Sequence, residues 1–398
     1  MKPDTDVVII GAGPAGLTAA KTLSESDIGF RLLSRETSPG ETKVCGGFVT
    51  ARALTRYGIR SIPGSYPVKA VRLKFPNSDI KTVDFESPVG VNVSRAALGK
   101  ALLGLADMHQ GNILPGAEAR SVAISHDRCS VSYTDAKGDG RISSDIVIDA
   151  SGVNAVTTKS GIFRPRIAND KMGYAVQYQM RRPPSMHRFP EMNSFLYGSF
   201  FSPGGYAWIF PRGNETVVGS GGLVTRVRQS EIRPVQYLNK VLNEEPMKSE
   251  HDGAEVTKTE SALMPLAGIV KPSFTNRLML AGDAAGHCSP ISGEGIYYSM
   301  VGGETAGRAA AKAVRLNDFS ANVLREHERD WVSLIGSDLK WGLWLQKRLL
   351  RTGSTGFGSK LFDSEKACRT IAEMLAGIRP VKDAILSVLP RYVVSKLQ

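Results

Sequence analysis

Apolar positions in this chain come as short unbroken runs, as alternating stretches and as helical stripes, and the switches between them mark its elements. Val7-Val8-Ile9-Ile10 is an apolar run of strand length, Leu17 to Leu23 reads as a helix, and Phe30 to Leu33 is a second short strand. Between strand and helix lies Gly11-Ala12-Gly13-Pro14-Ala15-Gly16. A G-x-G-x-x-G match in this setting points to a bound dinucleotide, the alternative being an ordinary tight turn. Gly11 would make the turn, Gly13 would let the backbone approach a pyrophosphate, and Gly16 would let helix and strand pack closely. The helix N-terminus offers N–H groups and a positive dipole to phosphate. The acidic ribose ligand expected about 20 residues on falls instead on Ser34, followed by Arg35, with Glu36 two residues late. Ser34 or Glu36 would serve the ribose.

The loop from Ser38 ends in Cys45-Gly46-Gly47-Phe48, whose lack of bulk lets a flat ligand lie against the backbone, or simply makes a glycine loop. Val71 to Phe75 and Lys81 to Phe85 alternate as a hairpin of a second sheet. Ser94 reads as the N-cap of a helix bearing Leu98, Leu102, Leu103 and Leu105. Arg95 in its first turn opposes the dipole, so it either reaches a phosphate or ring edge or is solvated. Strands follow over 112–124 and 129–133, then a Gly-Asp-Gly turn at 138–140 and a buried strand, Asp145 to Gly152, returning to the first sheet. Further strands run over 172–180, 194–201, 206–211 and 216–221. Tyr206 and Trp208 share a strand face, as core or as the aromatic wall of a pocket.

Leu278 to Gly286 is another strand-to-turn segment, presenting Asp283 at a strand end where α/β sheets bind ligands. It leads through Gly293-Glu294-Gly295-Ile296 into a helix, Tyr297 to Arg315, whose Gly302, Gly303 and Gly307 imply close packing. Residues 316–398 read as helical, with a break at Thr352–Gly358. Trp341 and Trp344 beside Lys340, Lys347, Arg348 and Arg351 suit either a membrane surface or an amphipathic cap over the second sheet.

The fold expected is α/β: a Rossmann-type domain from residues 1–65, 92–165 and 265–315, interleaved with an α+β, antiparallel-sheet substrate domain from 66–91 and 166–264. A helical C-terminal cap, 316–398, completes it. At 398 residues and 42% hydrophobic, the chain can bury a large core. Four cysteines without a C-x-x-C pair argue against zinc or a disulfide framework and for a reducing compartment. No metal is expected. Asp4 and Asp6 argue against a signal peptide, and no apolar run reaches the roughly 18 residues of a membrane helix. The expected location is cytoplasmic, with peripheral membrane attachment as an option. Net charge is +12, and sixteen Lys and Arg against nine Asp and Glu follow from Arg308 onward. That suits an anionic substrate, an anionic membrane or an acidic ferredoxin. No signature supports nucleic acid.

Three separated elements, Gly11 to Gly16, the Ile148 to Gly152 strand end and Gly282-Asp283, together resemble the class of aromatic hydroxylases, flavin-dependent halogenases and geranylgeranyl reductases. Cys45-Gly46-Gly47, Tyr206-x-Trp208-x-Phe210-Pro211 and the run from Gly282 to Ile296 look most like the geranylgeranyl reductase family, which saturates isoprenoid double bonds. The resemblance implies FAD. Gly11, Gly13, Ala15 and Gly16 would hold its pyrophosphate, Ser34 or Arg35 would lie by the ribose, and Ala119 by the adenine. Arg95 would face the cofactor and Asp283 its ribityl and phosphate region. Gly293, Gly295 and Ile296 would meet the pyrimidine edge of the ring, with Cys45, Gly46 and Phe48 beside it. Tyr206 and Trp208 would line a prenyl tunnel, and Cys45 or Tyr206 would be the proton donor.

The expected reaction is hydride transfer from reduced flavin to an alkene of a prenyl lipid or prenyl diphosphate. No second G-x-G-x-x-G appears, so NAD(P)H would bind transiently, or ferredoxin or another reductase would donate. The rivals are an FAD monooxygenase or halogenase, which would need oxygen, and a non-catalytic flavin- or lipid-binding protein, which would not turn over.

Overall fold

A computed structural model describes residues 3–106, 112–162, 166–352 and 364–388 of the chain. Its first sheet has eight strands. The central strand, Thr5–Ile10, pairs in parallel with Gly138–Asp149 on one side and Phe30–Ser34 on the other. Ile113–Pro115 extends the parallel set at one edge and Leu278–Leu280 at the other. The central residues Val7, Val8 and Ile9 are fully buried, because helices cover one face and the meander Glu118–Ile124 and Cys129–Asp135 the other. Burial on both faces is why these strands read as continuous apolar runs rather than alternations.

The helix Pro14–Ser24 packs along the helix Ile296–Leu316. Small residues let the two backbones meet. A Cβ on Gly303 would stand 2.0 Å from the Ala15 carbonyl oxygen, and one on Gly307 would stand 2.8 Å from Thr22 Cβ. The cost of glycine in a helix, about 1 kcal/mol each, is offset by this close contact.

The second sheet has seven strands, in the order Glu255–Met264, Gly173–Arg181, Glu215–Leu223, Gly205–Arg212, Met192–Tyr197, Ala70–Lys74 and Lys81–Asp84. The hairpin expected at 71–85 is there, as its edge. The flanking residues go elsewhere: Tyr66–Val68 and Gly90–Asn92 join Phe48–Thr50 in a separate three-stranded sheet. Buried Asn92 ties this small sheet to the large one, donating to Asn193 Oδ1 at 2.7 Å and to the Pro211 carbonyl at 2.8 Å.

Two expectations are corrected. The turn falls on Ala136-Lys137, and residues 138–140 begin the twelve-residue strand Gly138–Asp149, paired to Cys129–Asp135. The stretch 112–124 is two strands, broken where Gly116 takes φ +74°. The expected break at Thr352–Gly358 lies, beyond Thr352, outside the described residues. Past Asn317 the described elements are helical: Ala321–Trp331, a π-turn Val332–Gly336, Ser337–Thr352 and Glu365–Leu375. No described helix is long and apolar enough to cross a membrane.

Candidate active site

The parallel strands of the first sheet end at one edge, and there a cavity of about 1190 Å³ opens between the two sheets and the C-terminal helices. Gly11, Gly13 and Ala15 line one end of it. Gly11 takes φ +101°, and a Cβ there would stand 2.6 Å from the Ala150 carbonyl oxygen. Gly13 faces open space, with nothing within 4 Å of a Cβ position. Gly16 does not line the cavity. A Cβ on it would meet the Gly11 carbonyl oxygen at 1.8 Å, so its part is to close helix onto turn. No side chain caps the helix that starts at Pro14, which leaves its first-turn N–H groups for a ligand.

Ser34, Arg35, Glu118 and Ala119 line the same end. The two ribose candidates are both engaged. Ser34 donates its hydroxyl to the Glu36 carbonyl at 2.7 Å. The Glu36 carboxylate accepts from Gly40 N at 2.6 Å and Thr42 N at 3.2 Å, bracing its own loop. Arg95 lines the cavity from the first turn of its helix, which Ser94 caps by accepting from Ala97 N at 3.1 Å. Its Nε and Nη1 are buried with no protein partner. A buried guanidinium with unmatched N–H groups beside an open helix N-terminus fits a phosphate.

Asp283 lies in the short 3-10 turn Gly282–Ala285 after the last parallel strand and pairs with Lys43 at 3.5 Å. Gly293, Gly295 and Ile296 follow on the cavity wall, Gly293 at φ +64°. Opposite them runs Cys45-Gly46-Gly47-Phe48. Gly46 is where the loop meets the aromatic strand: a Cβ there would stand 2.7 Å from Phe210 Cδ2 and 3.3 Å from Trp208 Nε1.

The far part of the cavity is walled by rings. Tyr206 lies 5.8 Å from Trp208 and 5.6 Å from both Phe195 and Tyr197, and Phe195 meets Phe210 at 5.4 Å. Trp208 is seated over Gly219, where a Cβ would fall 2.1 Å from its ring. Leu349, Leu375, Ile385 and Val388 from the C-terminal helices complete the wall. Tyr206 and Trp208 thus both line the cavity and belong to the core of the second sheet. The Tyr206 hydroxyl donates to the Ser292 carbonyl, and burial pushes its pKa well above the ordinary value. Cys45 is a free, half-buried thiol on the same cavity.

Behind this wall stands a group the sequence reading missed. Buried Glu294 pairs with Arg52, which also faces Asp338 at 3.8 Å and stacks on Tyr297 at 4.1 Å. Asp338 accepts from Tyr298 and from Val381 N at 2.9 Å, while Gln346 donates to the Pro290 carbonyl at 2.7 Å. The loop 289–296 is thus tied to the C-terminal helices. Arg52 lies 242 positions from Glu294, and Gln346 lies 56 from Pro290, so spacing carried no signal for them. No group of His, Cys, Asp and Glu able to hold a metal occurs among the described residues.

A turn open to phosphate, an unmatched arginine and a flat glycine-lined slot beside an apolar pocket define a flavin-binding oxidoreductase site. Residues 4–315 match the family of the FAD binding domain. A digeranylgeranylglycerophospholipid reductase 1 of Methanopyrus kandleri is 30% identical over 338 residues, covering 82% of this chain and 85% of its own. A reductase of the same name from Methanocaldococcus jannaschii is 27% identical over 328 residues, 82% of each chain. In fold, a geranylgeranyl bacteriochlorophyll reductase-like protein of Thermoplasma acidophilum superposes with TM-score 0.84 at 22% identity over 98% of each chain. A halogenase solved in complex with FAD superposes at 0.67 with 14% identity, covering 98% of this chain and 96% of its own. The chain belongs to the FAD-binding flavoproteins and, within them, to the digeranylgeranylglycerophospholipid reductase family.

FAD fits the residues present. Gly11, Gly13 and Ala15 with Arg95 would hold the pyrophosphate, Asp283 the ribityl region, and Gly293, Gly295 and Ile296 the pyrimidine edge, with Cys45 to Phe48 beside the ring.

Proposed function

We propose that the chain saturates carbon–carbon double bonds in a geranylgeranyl chain, carried on an archaeal-type glycerophospholipid precursor or on a diphosphate. The observation that carries this reading is the continuity of the cavity. The end lined by the glycine turn passes directly into an apolar, ring-walled section of the same cavity, which has about 1190 Å³ in all. Reduced FAD supplies a hydride equivalent to one alkene carbon. The protein's own part is to align the double bond, exclude water and deliver a proton to the other carbon. Trp208, Phe195 and Phe210 fix the chain against the Cys45–Phe48 slot. The Tyr206 proton is committed to the Ser292 carbonyl, so Cys45 is the better-placed donor. The reductant would be NAD(P)H or a ferredoxin, and the sequence has no second G-x-G-x-x-G to hold it.

The test is oxygen dependence. With NADPH, or with reduced ferredoxin, and a digeranylgeranyl glycerophospholipid in an oxygen-free chamber, product lipid should gain two hydrogens per bond reduced. Turnover that starts only when oxygen is admitted would move the chain to monooxygenase or halogenase chemistry.

A further inference from the structure

The cavity has a rim, and the rim is unlike the rest of the surface. On one side, the helix Ser337–Thr352 carries Lys340, Trp344, Lys347 and Arg348 exposed along one stripe, at the three- and four-residue spacing that puts side chains on one helix face. Trp344 is 40% exposed, carries the Arg348 guanidinium 5.9 Å from its ring, and lines the cavity itself. On the other side, the loop after Tyr197 exposes Phe200 at 49%, with Lys240 Nζ 4.9 Å from its ring. The two sides are joined. Arg226 donates to the Leu350 carbonyl at 3.3 Å, and a Cβ on Gly204 would stand 2.8 Å from Arg226 Cγ and 3.4 Å from Leu350 Cδ2. Trp344 is six residues from Leu350, or about 9 Å along the helix. Phe200 is four residues from Gly204. Two exposed rings, each beside a cation, therefore stand on adjoining segments whose neighbours, Ser199, Gly204 and Leu350, line the apolar cavity.

We propose that this rim docks on an anionic lipid surface. The rings enter the interface while Lys240, Lys340, Lys347 and Arg348 meet lipid phosphates, so that a prenyl lipid passes from the bilayer into the cavity without crossing water. Exposed aromatic residues are stable at an interface where one end is apolar and the other wet. Each cation near an anionic surface adds to the attraction. The helix is also a cap: Leu339 is buried against Tyr298, and Gly342 packs on Pro290. Its outer stripe is left over from that packing. The entry of a prenyl lipid rests on the reductase reading; the docking surface does not.

The test is co-sedimentation of the flavin-loaded protein with vesicles of phosphatidylcholine alone and with about one third phosphatidylglycerol. The anionic vesicles should capture the protein, and Phe200→Ser or Lys347→Glu should each weaken capture about tenfold with flavin content unchanged. Leu316→Ser is the control. Leu316 is 57% exposed, but at the opposite edge of the first sheet, beside Arg315 and its contact to Ser26, and its substitution should leave capture unaltered. Absence of capture, capture indifferent to anionic lipid, or an equal loss from Leu316→Ser overturns the proposal. Capture through this rim by a protein that reduces no prenyl lipid would uphold the surface and sink the reductase reading instead. Reduction of detergent-dispersed lipid without vesicle capture would do the reverse.

Discussion

Arg52 Nη2 lies 2.5 Å from Glu294 Oε2, and through this contact the cavity wall is braced by the helix Ala51–Arg56, which follows the strand Phe48–Thr50. Burial raises the Glu294 pKa above its ordinary 4.5, and the Arg52 charge opposes that without cancelling it. Removing the cation alone leaves a largely enclosed carboxylate with the Thr50 hydroxyl, 3.3 Å away, but no counter-charge at that contact. Arg52→Met should cost about 3–5 kcal/mol, and adding Glu294→Gln should recover part of it, read by denaturant unfolding. The sign with pH follows. An acid whose folded pKa is raised stabilises the fold below its unfolded value, and that contribution is lost as pH rises through the folded value. Relative to the native chain, Glu294→Gln should therefore lack one contribution that fades as pH rises above about 4.5, read as the difference between the two stability profiles.

His327 and His287 titrate the other way. Burial lowers His327 from 6.5 to about 4, although its Nε2 meets the Leu280 carbonyl at 2.8 Å. Burial also lowers His287 well below its ordinary value, with His327 adding to it. A base lowered in the fold contributes stability above its unfolded pKa, lost as pH falls toward the folded value. His327 alone accounts for about 3 kcal/mol of that loss. Melting temperature should fall from pH 6.5 toward 4, and less steeply in a His287→Phe variant.

Arg95 offers two buried N–H groups with no protein partner. Charged hydrogen bonds of this kind contribute about 1.5–3 kcal/mol. Arg95→Gln should weaken FAD binding by roughly tenfold to a hundredfold, measured by quenching of flavin fluorescence. An unchanged affinity would place Arg95 off the phosphate.

Gly219 pairs with Trp208 on the neighbouring strand and leaves room for its ring. Alanine there drives a methyl group to 2.1 Å from the Trp208 ring, an overpacking that costs about 1–3 kcal/mol. Gly219→Ala should retain FAD while reduction falls about tenfold or more, with a shifted tryptophan emission.

Two proton donors make opposite predictions. Cys45→Ala should lower the rate by about a hundredfold or more. Tyr206→Phe, which removes only the bond to the Ser292 carbonyl, should change it less than about tenfold. The reverse order would assign the donor to Tyr206.

Much of this was readable in the chain because each signal was local. Gly11 and Gly16 report a turn and a contact within six residues, and Gly302, Gly303 and Gly307 report the helix pair. The FAD family followed from these and from Asp283. The three-stranded sheet was not readable, since strands of three residues such as Gly90–Asn92 are too short to show alternation. The strand Glu255–Met264 was missed because most of its positions are exposed. Arg52, Glu294 and Asp338 meet only in the folded chain. Ser34 stood where a carboxylate was expected, and its hydroxyl is spent on the Glu36 backbone.

The most direct measurement is a single turnover. The flavin is reduced with dithionite under argon, digeranylgeranyl glycerophospholipid is added, and flavin absorbance and lipid mass are followed together. Reoxidation matched by a gain of two hydrogens per flavin is the predicted result. Flavin that stays reduced in the presence of the lipid, and reoxidises only with oxygen, would contradict it.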